Sequence, residues 1–272
     1  MGEFATLADV KAIETEAAWA DLDIARTMHD FLARAKAAHG ARPAISYQLL
    51  SAPDAPARTL TWAGLHGEVT RAANLFRSLG VGPKDVVAYI LPNTMETAVT
   101  LLGGAVAGIV NPINPLLEPE QISAILRETG AKVVVTLRPF PKTDLAQKVA
   151  EAVRLAPNVK TVLEVDLLTY LTGLKKLIVP LVRPKNPVSH HAAVKNFHAE
   201  VARQPADRLT FDDPKEDRVA AYFHTGGTTG MPKVAQHKVS GMVYNGWLGH
   251  RLLFRETDVV ICPLPLFHVF GV

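Results

Sequence analysis

Short apolar runs that alternate with helical patterns constrain the fold of this chain more than any other feature of its sequence. The runs are rich in β-branched residues, as in strands buried on both faces of a parallel sheet, and they span residues 85–91, 108–114, 132–137 and 159–164. The intervening residues 94–107, 118–129 and 144–155 have the apolar spacing of amphipathic helices. These repeated strand–helix–strand units predict an α/β fold, with mostly parallel, doubly wound sheets and flanking helices.

Further elements are predicted on either side of this region. Helical spacing covers residues 9–39 and 62–79, and we also expect helices at 167–182, 192–203 and 240–254 and strands at 44–49, 59–61, 219–223 and 258–262. The prolines of residues 180–213 indicate a surface connection. With 272 residues, 48% of them hydrophobic and 20% charged, the chain can bury a sizeable core.

The charge and the cysteine content argue against several classes of function. The net charge of +3 comes from 29 basic and 26 acidic residues without a Lys/Arg block, so no nucleic-acid partner is expected. Cys262 is the only cysteine, so no intrachain disulfide or cysteine-rich zinc site can form, and a cytoplasmic location fits best. His190 and His191 lack carboxylates or cysteines at a metal-ligand spacing, so no metal site is predicted.

The sequence indicates at most a peripheral contact with membranes. The N-terminus lacks the basic-then-apolar order of a signal peptide, and the apolar residues 98–110 fall short of the roughly 18 to 20 residues that a membrane span needs. Residues 167–182 combine apolar side chains with Lys175 and Lys176, as an amphipathic helix does. Such a helix can lie on a membrane surface, although packing against its own protein is the commoner case.

A glycine- and threonine-rich loop is the strongest candidate for a binding site. It reads Thr225, Gly226, Gly227, Thr228, Thr229, Gly230, Met231, Pro232, Lys233. Glycines let backbone N–H groups approach a ligand closely, while the hydroxyls and the lysine ammonium add further donors. Such donors bind polyphosphate, and a loop that leaves a strand at the edge of an α/β sheet lies where these proteins bind ligands. An ordinary surface turn is the alternative, but turns rarely need all these residues together.

Two common phosphate-binding motifs do not match this loop. A Walker A loop requires Gly-x-x-x-x-Gly-Lys-Ser/Thr, whereas here Gly230 is separated from Lys233 and Val234 follows the lysine. The glycines also do not form the Gly-x-Gly-x-x-Gly of dinucleotide-binding folds, and they lie late in the chain. The ordinary P-loop and dinucleotide-binding interpretations are therefore excluded.

The chain resembles the adenylate-forming superfamily of acyl-CoA synthetases, aryl-CoA ligases, luciferases and peptide-synthetase adenylation domains. The signature loop of that superfamily is commonly written Thr-Ser-Gly-Thr-Thr-Gly-x-Pro-Lys-Gly, and residues 225–233 match it with Gly226 in the serine position. Residues 93–115 look like its early core motif, and residues 265–271 look like the motif that lines its acyl pocket. Val234 departs from the usual glycine after the lysine.

The resemblance implies roles for the loop and for one histidine. The residues implied to bind the ATP phosphates are Thr225, Gly226, Gly227, Thr228, Thr229, Gly230 and Lys233. Lys233, also a candidate catalytic residue, would add a charge at the phosphates or would anchor the loop to a neighbouring carboxylate. His268 would be the second catalytic candidate, near the carboxylate of the acid. Without the resemblance, a packed pair of Phe267 and His268 would be the first interpretation.

The resemblance also implies the reaction and its substrates. The full-length protein would be an AMP-forming acid–CoA ligase, which uses ATP and Mg to form an acyl-adenylate and then transfers the acyl group to coenzyme A. Members that activate amino acids usually carry an aspartate in the acyl-pocket region, and residues 263–272 contain none. A fatty or aryl acid is therefore favoured over an amino acid, and the expected partners are a small carboxylic acid, ATP and coenzyme A.

The domain assignment follows from the same resemblance. Residues 1–272 would form the N-terminal portion of the AMP-binding large domain, without the rest of that domain or the small C-terminal domain. The magnesium-binding motif would lie beyond Val272, so no residue is assigned to the metal. Because the apolar ending is unlike a natural terminus, we expect a fragment that is inactive alone. The alternative is a fragment that binds a nucleotide or an acyl group without catalysis.

Overall fold

A mostly parallel sheet forms the centre of the fold. The computed structural model of the protein describes residues 6–16, 21–186, 188–224 and 233–271. The strands are β1 (Pro43–Gln48), β2 (Ala57–Thr61), β3 (Val86–Ile90), β4 (Ile109–Pro112), β5 (Val133–Leu137), β6 (Thr161–Val165), β7 (Ala193–Asn196), β8 (Val219–His224) and β9 (Val234–Lys238). The helices are α1 (Leu7–Glu16), α2 (Met28–His39), α3 (Trp62–Ser78), α4 (Met95–Ala107), α5 (Pro119–Glu128), α6 (Leu145–Arg154), α7 (Gly173–Ile178), α8 (Phe197–Ala202) and α9 (Val239–Leu252), with 3-10 helices at Leu167–Tyr170 and Val269–Gly271.

The strand order places helices on both faces of the sheet. Within the described ranges, β3 to β9 form one sheet in the order β7-β6-β5-β3-β4-β8-β9. Its strands are parallel except for β9, which is antiparallel to β8, while β1 and β2 form a separate antiparallel hairpin. The chain moves from β3 to β4 in one direction and returns past β3 to β5, so right-handed crossovers put α4 and α5 on opposite faces. The predicted α/β fold with a mostly parallel, doubly wound sheet and flanking helices is confirmed.

Helix starts next to the sheet are fixed by local hydrogen bonds. Thr61 caps α3, since its hydroxyl accepts from the backbone N–H of Gly64 at 3.1 Å. At the start of α4 the hydroxyl of Thr94 accepts from the N–H of Thr97, and the hydroxyl of Thr97 accepts from the N–H of Thr94, each at 3.2 Å. The chain therefore turns into α4 directly after β3, at the carboxyl end of the sheet.

The sequence prediction for residues 192–203 was wrong in its first half. The predicted helix is a strand, β7, followed by the short helix α8. Val194 and Lys195 pair with Val162 and Leu163 of β6, and these hydrogen bonds outweigh a weak helical preference. The strand β9 was also missed, because a five-residue strand at the sheet border shows little periodicity.

Two other predicted elements differ from the structure. Residues 258–262 do not form a strand and pair with no strand among the described residues, and the side chains of Val259, Val260 and Ile261 are exposed. The single helix predicted over residues 167–182 is a 3-10 helix followed by α7. In the described parts of the chain, every helix is too short or too polar to cross a membrane.

Acidification is expected to destabilise the fold through a buried histidine of α3. His66 is 4% exposed, its ring lies 4.7 Å from that of His29, and burial, His29 and Lys36 together lower its pKa from 6.5 to about 4. The His66 imidazole therefore binds a proton more readily in the unfolded chain than in the folded one. The contribution of neutral His66 to stability is complete above the unfolded pKa and is lost as the pH falls from 6.5 towards 4. The expected loss between about pH 7 and about pH 5 is about 2 kcal/mol.

Urea unfolding at both pH values measures this loss. His66→Gln, which cannot titrate in this range, should flatten the dependence of the unfolding free energy on pH. An equally steep dependence in that variant would show that His66 is not responsible.

Candidate active site

The two ends of the glycine-rich loop lie side by side at the carboxyl end of β8. β8 ends at His224 and β9 begins at Val234, and these two residues are opposite each other in the antiparallel ladder. Except for Lys233, the loop residues predicted to bind phosphate lie outside the described residues: Thr225, Gly226, Gly227, Thr228, Thr229 and Gly230. Its flanks place the loop at the edge of the parallel sheet where α/β proteins bind ligands.

The chain leaves the loop as a strand rather than as a helix. A Walker A loop joins a strand to a helix, whose N-terminal N–H groups face the phosphates. Here the loop joins β8 to its antiparallel neighbour β9. The connectivity therefore agrees with the exclusion of the Walker A motif on sequence grounds. Lys233, the last loop residue, is exposed and lies immediately before β9.

Residues 264–266, which precede the candidate catalytic residue His268, are hydrogen-bonded to the carboxyl end of β3. The amide of Asn93, in the turn after β3, donates to the Leu264 carbonyl and accepts from the Leu266 N–H, both at 2.8 Å. Tyr89, a fully buried residue of β3, donates its hydroxyl to the Leu266 carbonyl, and burial raises the pKa of Tyr89. Residues 264–266 are thus held at the end of this strand by two side chains, Tyr89 and Asn93, that were not predicted as site residues.

His268 lies in a tight turn at the end of this segment. Its backbone N–H donates to the Pro265 carbonyl at 3.0 Å, and its carbonyl accepts from the Gly271 N–H at 2.8 Å. The imidazole is exposed, whereas the neighbouring Phe267 is partly buried and packs against the core. The structure therefore separates the two side chains, with the aromatic ring directed to the core and the histidine accessible to solvent.

The described flanks of the glycine-rich loop and the His268 segment lie at the same edge of the sheet. β4 is the one strand between β3 and β8. Neighbouring strands are about 4.8 Å apart, so β3 and β8 are separated by roughly 10 Å. One small molecule can span that distance. The candidate phosphate end and the candidate acid end can therefore belong to one site.

A chain of hydrogen bonds ties the beginning of the loop to β4 and α5. The hydroxyl of Thr129 donates to the Ile125 carbonyl at 2.8 Å and accepts from Nδ2 of Asn111 at 3.2 Å. Oδ1 of Asn111 then accepts from Nε2 of His224 at 2.9 Å, which assigns the proton of the neutral imidazole to Nε2. Burial lowers the pKa of His224, although Glu128 opposes the shift. His224, the last residue of β8, is therefore held to β4 by the hydrogen bond that its Nε2 donates to Asn111.

His224 was not predicted as a site residue, because a single histidine at the end of an apolar run is usually a packing residue. Its position directly before Thr225 was the one available signal. Its hydrogen-bond partner Asn111 belongs to residues 93–115, which were recognised only as a motif.

Within that motif, the buried Glu96 accepts from the hydroxyl of Tyr170 at 2.6 Å and thus stabilises the start of α4.

Gly108 of the same motif allows a close approach between the end of α4 and the turn before β3. A Cβ at this position would lie 2.5 Å from the Asp85 carbonyl oxygen and 2.6 Å from that of Gly82. Arg218 donates from Nη1 to the Gly108 carbonyl at 2.6 Å, and its other amino group caps the end of α4. These contacts set the position of β4 in the sheet, and through Asn111 they support the loop.

Among known proteins, the model of the AMP-binding enzyme family matches residues 32–272. A marinolic acid–CoA ligase of a Pseudoalteromonas species is 35% identical over 73% of this chain and 28% of its own length. An acetyl-coenzyme A synthetase of Bdellovibrio bacteriovorus is 27% identical over 80% of this chain and 33% of its own length. The chain thus spans about a third of the length of these curated relatives.

Solved structures show the same fold. The inhibitor-bound N-terminal domain of FACL13 from Mycobacterium tuberculosis superposes with a TM-score of 0.66 and 20% identity, covering 90% of this chain and 52% of that one. The anthranilate CoA ligase AuaEII in complex with anthranoyl-AMP gives a TM-score of 0.61 and 19% identity, covering 86% and 38%. Since the family model matches nearly the whole sequence, the chain belongs to the family of AMP-binding enzymes.

Proposed function

We propose that the full-length protein activates a carboxylic acid with ATP and transfers the acyl group to coenzyme A. The observation that carries this proposal is the match to the AMP-binding enzyme model over residues 32–272, together with relatives that are named as CoA ligases. In the first step a carboxylate oxygen attacks the α-phosphorus of ATP, the bond to the β-phosphate oxygen breaks, and pyrophosphate leaves. In the second step the thiol of coenzyme A displaces AMP.

The glycine-rich loop would stabilise the pyrophosphate as it leaves. Backbone N–H groups at Gly226, Gly227 and Gly230, hydroxyls of Thr225, Thr228 and Thr229, and the ammonium of Lys233 are the donors available there. Donors fixed before the reaction stabilise developing charge without reorganising, which is usually the largest single catalytic effect. The support from the structure is that both flanks of the loop are held at the carboxyl edge of the sheet.

The acid would lie on the side of β3, where His268 would be near its carboxylate. We propose a fatty or aryl acid, because residues 263–272 are apolar apart from His268 and contain no aspartate to pair with an amino group. Phe267, which packs against the core, would form part of the apolar wall.

The remaining assignments also rest on the family. We propose that residues 1–272 are the N-terminal portion of the large AMP-binding domain, which agrees with a coverage of about a third of the curated relatives. Magnesium would accompany ATP, and none of the described residues forms a group of three or more potential metal ligands. A cytoplasmic location is supported by the single cysteine, Cys262.

Acid-dependent exchange of labelled pyrophosphate into ATP by the full-length protein tests this function. Exchange that requires a fatty or aryl acid, followed by acyl-CoA formation when coenzyme A is added, is the expected result. Exchange with amino acids alone would contradict the proposed substrate class, and no exchange with any acid would contradict the reaction.

The second candidate is that residues 1–272 bind a nucleotide or an acyl group without catalysis. The coverage of only about a third of each curated relative favours it. Calorimetric titration of ATP and of fatty acids into the 272-residue chain would detect binding, and an acyl-CoA assay on the same sample would detect turnover. Turnover by this chain alone would contradict the second candidate.

A further inference from the structure

The helix α7 exposes an apolar surface that no described element covers. Leu174, Leu177, Ile178 and Leu181, which we call the α7 patch, are 69%, 70%, 43% and 85% exposed. Their spacing is that of one helical face, and α7 has no buried residue at all. Isolated exposed leucines are common on proteins, but four on one face of a protruding segment mark a contact surface.

The base of this segment is firmly held, so the patch is presented in a defined position. Leu171, which precedes α7, is buried. After α7, Nη2 of Arg183 donates to both carboxylate oxygens of Asp166 at 3.0 Å. Arg183 also donates to the Pro139 carbonyl at 2.7 Å. Asp166 comes directly after β6, so α7 leaves the sheet at its carboxyl end, the edge that carries the candidate active site.

The charged residues of the segment that carries the patch are all basic. Lys175 and Lys176 lie within α7, Lys185 follows it, and residues 167–199 contain no aspartate or glutamate. Neither lysine of α7 forms an ion pair with any described residue, whereas Arg183 is occupied by Asp166. Exposed apolar side chains next to lysines are typical of helices that lie in the interface of an anionic bilayer.

We propose that the α7 patch is a peripheral docking site for the surface of an anionic lipid bilayer. Leu174, Leu177 and Leu181 would enter the interface, while Lys175 and Lys176 would lie at the headgroup phosphates. A dimer through this patch is less favourable, because one short helix offers much less than the roughly 800 Å² per partner that stable interfaces bury. The lysines would also repel each other across a symmetric contact. This proposal does not depend on the proposed enzymatic reaction.

Vesicle co-sedimentation of the protein tests this docking site. The vesicles are phosphatidylcholine alone, or phosphatidylcholine with about 30 mol % phosphatidylglycerol, which supplies the anionic surface charge. The protein should bind the anionic vesicles and bind the neutral ones more weakly. Leu174→Ser combined with Leu177→Ser should weaken binding about tenfold or more, because two apolar contacts are lost. Lys175→Gln combined with Lys176→Gln should weaken it about 25-fold.

Leu116→Ser is the matched control, since Leu116 is 78% exposed but lies between β4 and α5, and binding should be unchanged. The substituted residues are all exposed, so all variants should keep the unfolding midpoint of the wild type. The docking site would be contradicted by absence of binding to anionic vesicles, or by the same loss in the control. It would also be contradicted if sedimentation equilibrium showed a dimer that the double leucine variant abolishes while vesicle binding persists.

Discussion

Lys233→Ala is expected to slow acid-dependent pyrophosphate exchange by the full-length protein about 30- to 1000-fold. The exposed lysine lies where the loop returns to β9, at the carboxyl edge of the sheet. An ammonium held there would stabilise the charge that develops on the leaving pyrophosphate. Loss of one preorganised donor typically costs about 2 to 4 kcal/mol of transition-state stabilisation. Initial rates at saturating ATP and acid measure the effect.

Lys238→Ala is the matched control for this prediction. Lys238 is at the opposite end of β9 and pairs with Asp217 at 3.4 Å, with both side chains exposed, so its loss should leave the exchange rate within about twofold. If Lys233 instead anchors the loop to a carboxylate, its replacement should lower the unfolding midpoint and weaken ATP binding along with the rate. A rate equal to that of the control would remove Lys233 from the mechanism.

Gly108→Ala is expected to destabilise the fold by about 3 kcal/mol or more. The added methyl group would lie 2.5 Å and 2.6 Å from two backbone carbonyl oxygens, of Asp85 and Gly82. Neither oxygen belongs to a flexible side chain, so the turn before β3 or the end of α4 must move. Overpacking of this kind costs about 1 to 3 kcal/mol, and displacement of the carbonyl that Arg218 contacts adds to it. The free energy of unfolding in urea measures the effect.

The matched control is the same substitution at Gly241. This glycine lies in α9, and a Cβ there would meet nothing within 4 Å. Alanine is the better helix former, so Gly241→Ala should stabilise the protein by about 0.5 to 1 kcal/mol. Equal changes in the free energy of unfolding for the two substitutions would show that the carbonyl oxygens of Asp85 and Gly82 leave room for a methyl group at position 108.

The predictability of each element follows from where its stabilising contacts lie. β3 and β5 were predicted well because both faces are buried, which requires continuous apolar runs. β7 was not, because it is a largely exposed strand at the border of the sheet, so its sequence contains no continuous apolar run. The strand predicted at residues 258–262 illustrates the converse case. Its sequence is suited to a strand, but a strand exists only where a neighbour supplies hydrogen-bond partners.

The candidate site was proposed from local sequence, and its supports were not. Because the types and spacing of residues 225–233 carry the chemistry, the sequence alone predicts a phosphate-binding loop there, and this assignment and the roles of Lys233 and His268 stay predictions. The supports of the site were not predictable. Asn93 holds Leu264 and Leu266, and His224 contacts Asn111, through contacts between residues more than a hundred positions apart.

The amino-acid sequence by itself determined the fold class, the signature loop and the membership in the AMP-binding enzyme family, since periodicity and motif spacing are local properties of a chain. Only the tertiary structure decided that the loop joins two antiparallel strands and that His268 lies at the same edge. It also decided that the apolar face of α7 points to solvent. The physical reason is that strand order, burial and long-range hydrogen bonds depend on which distant segments meet.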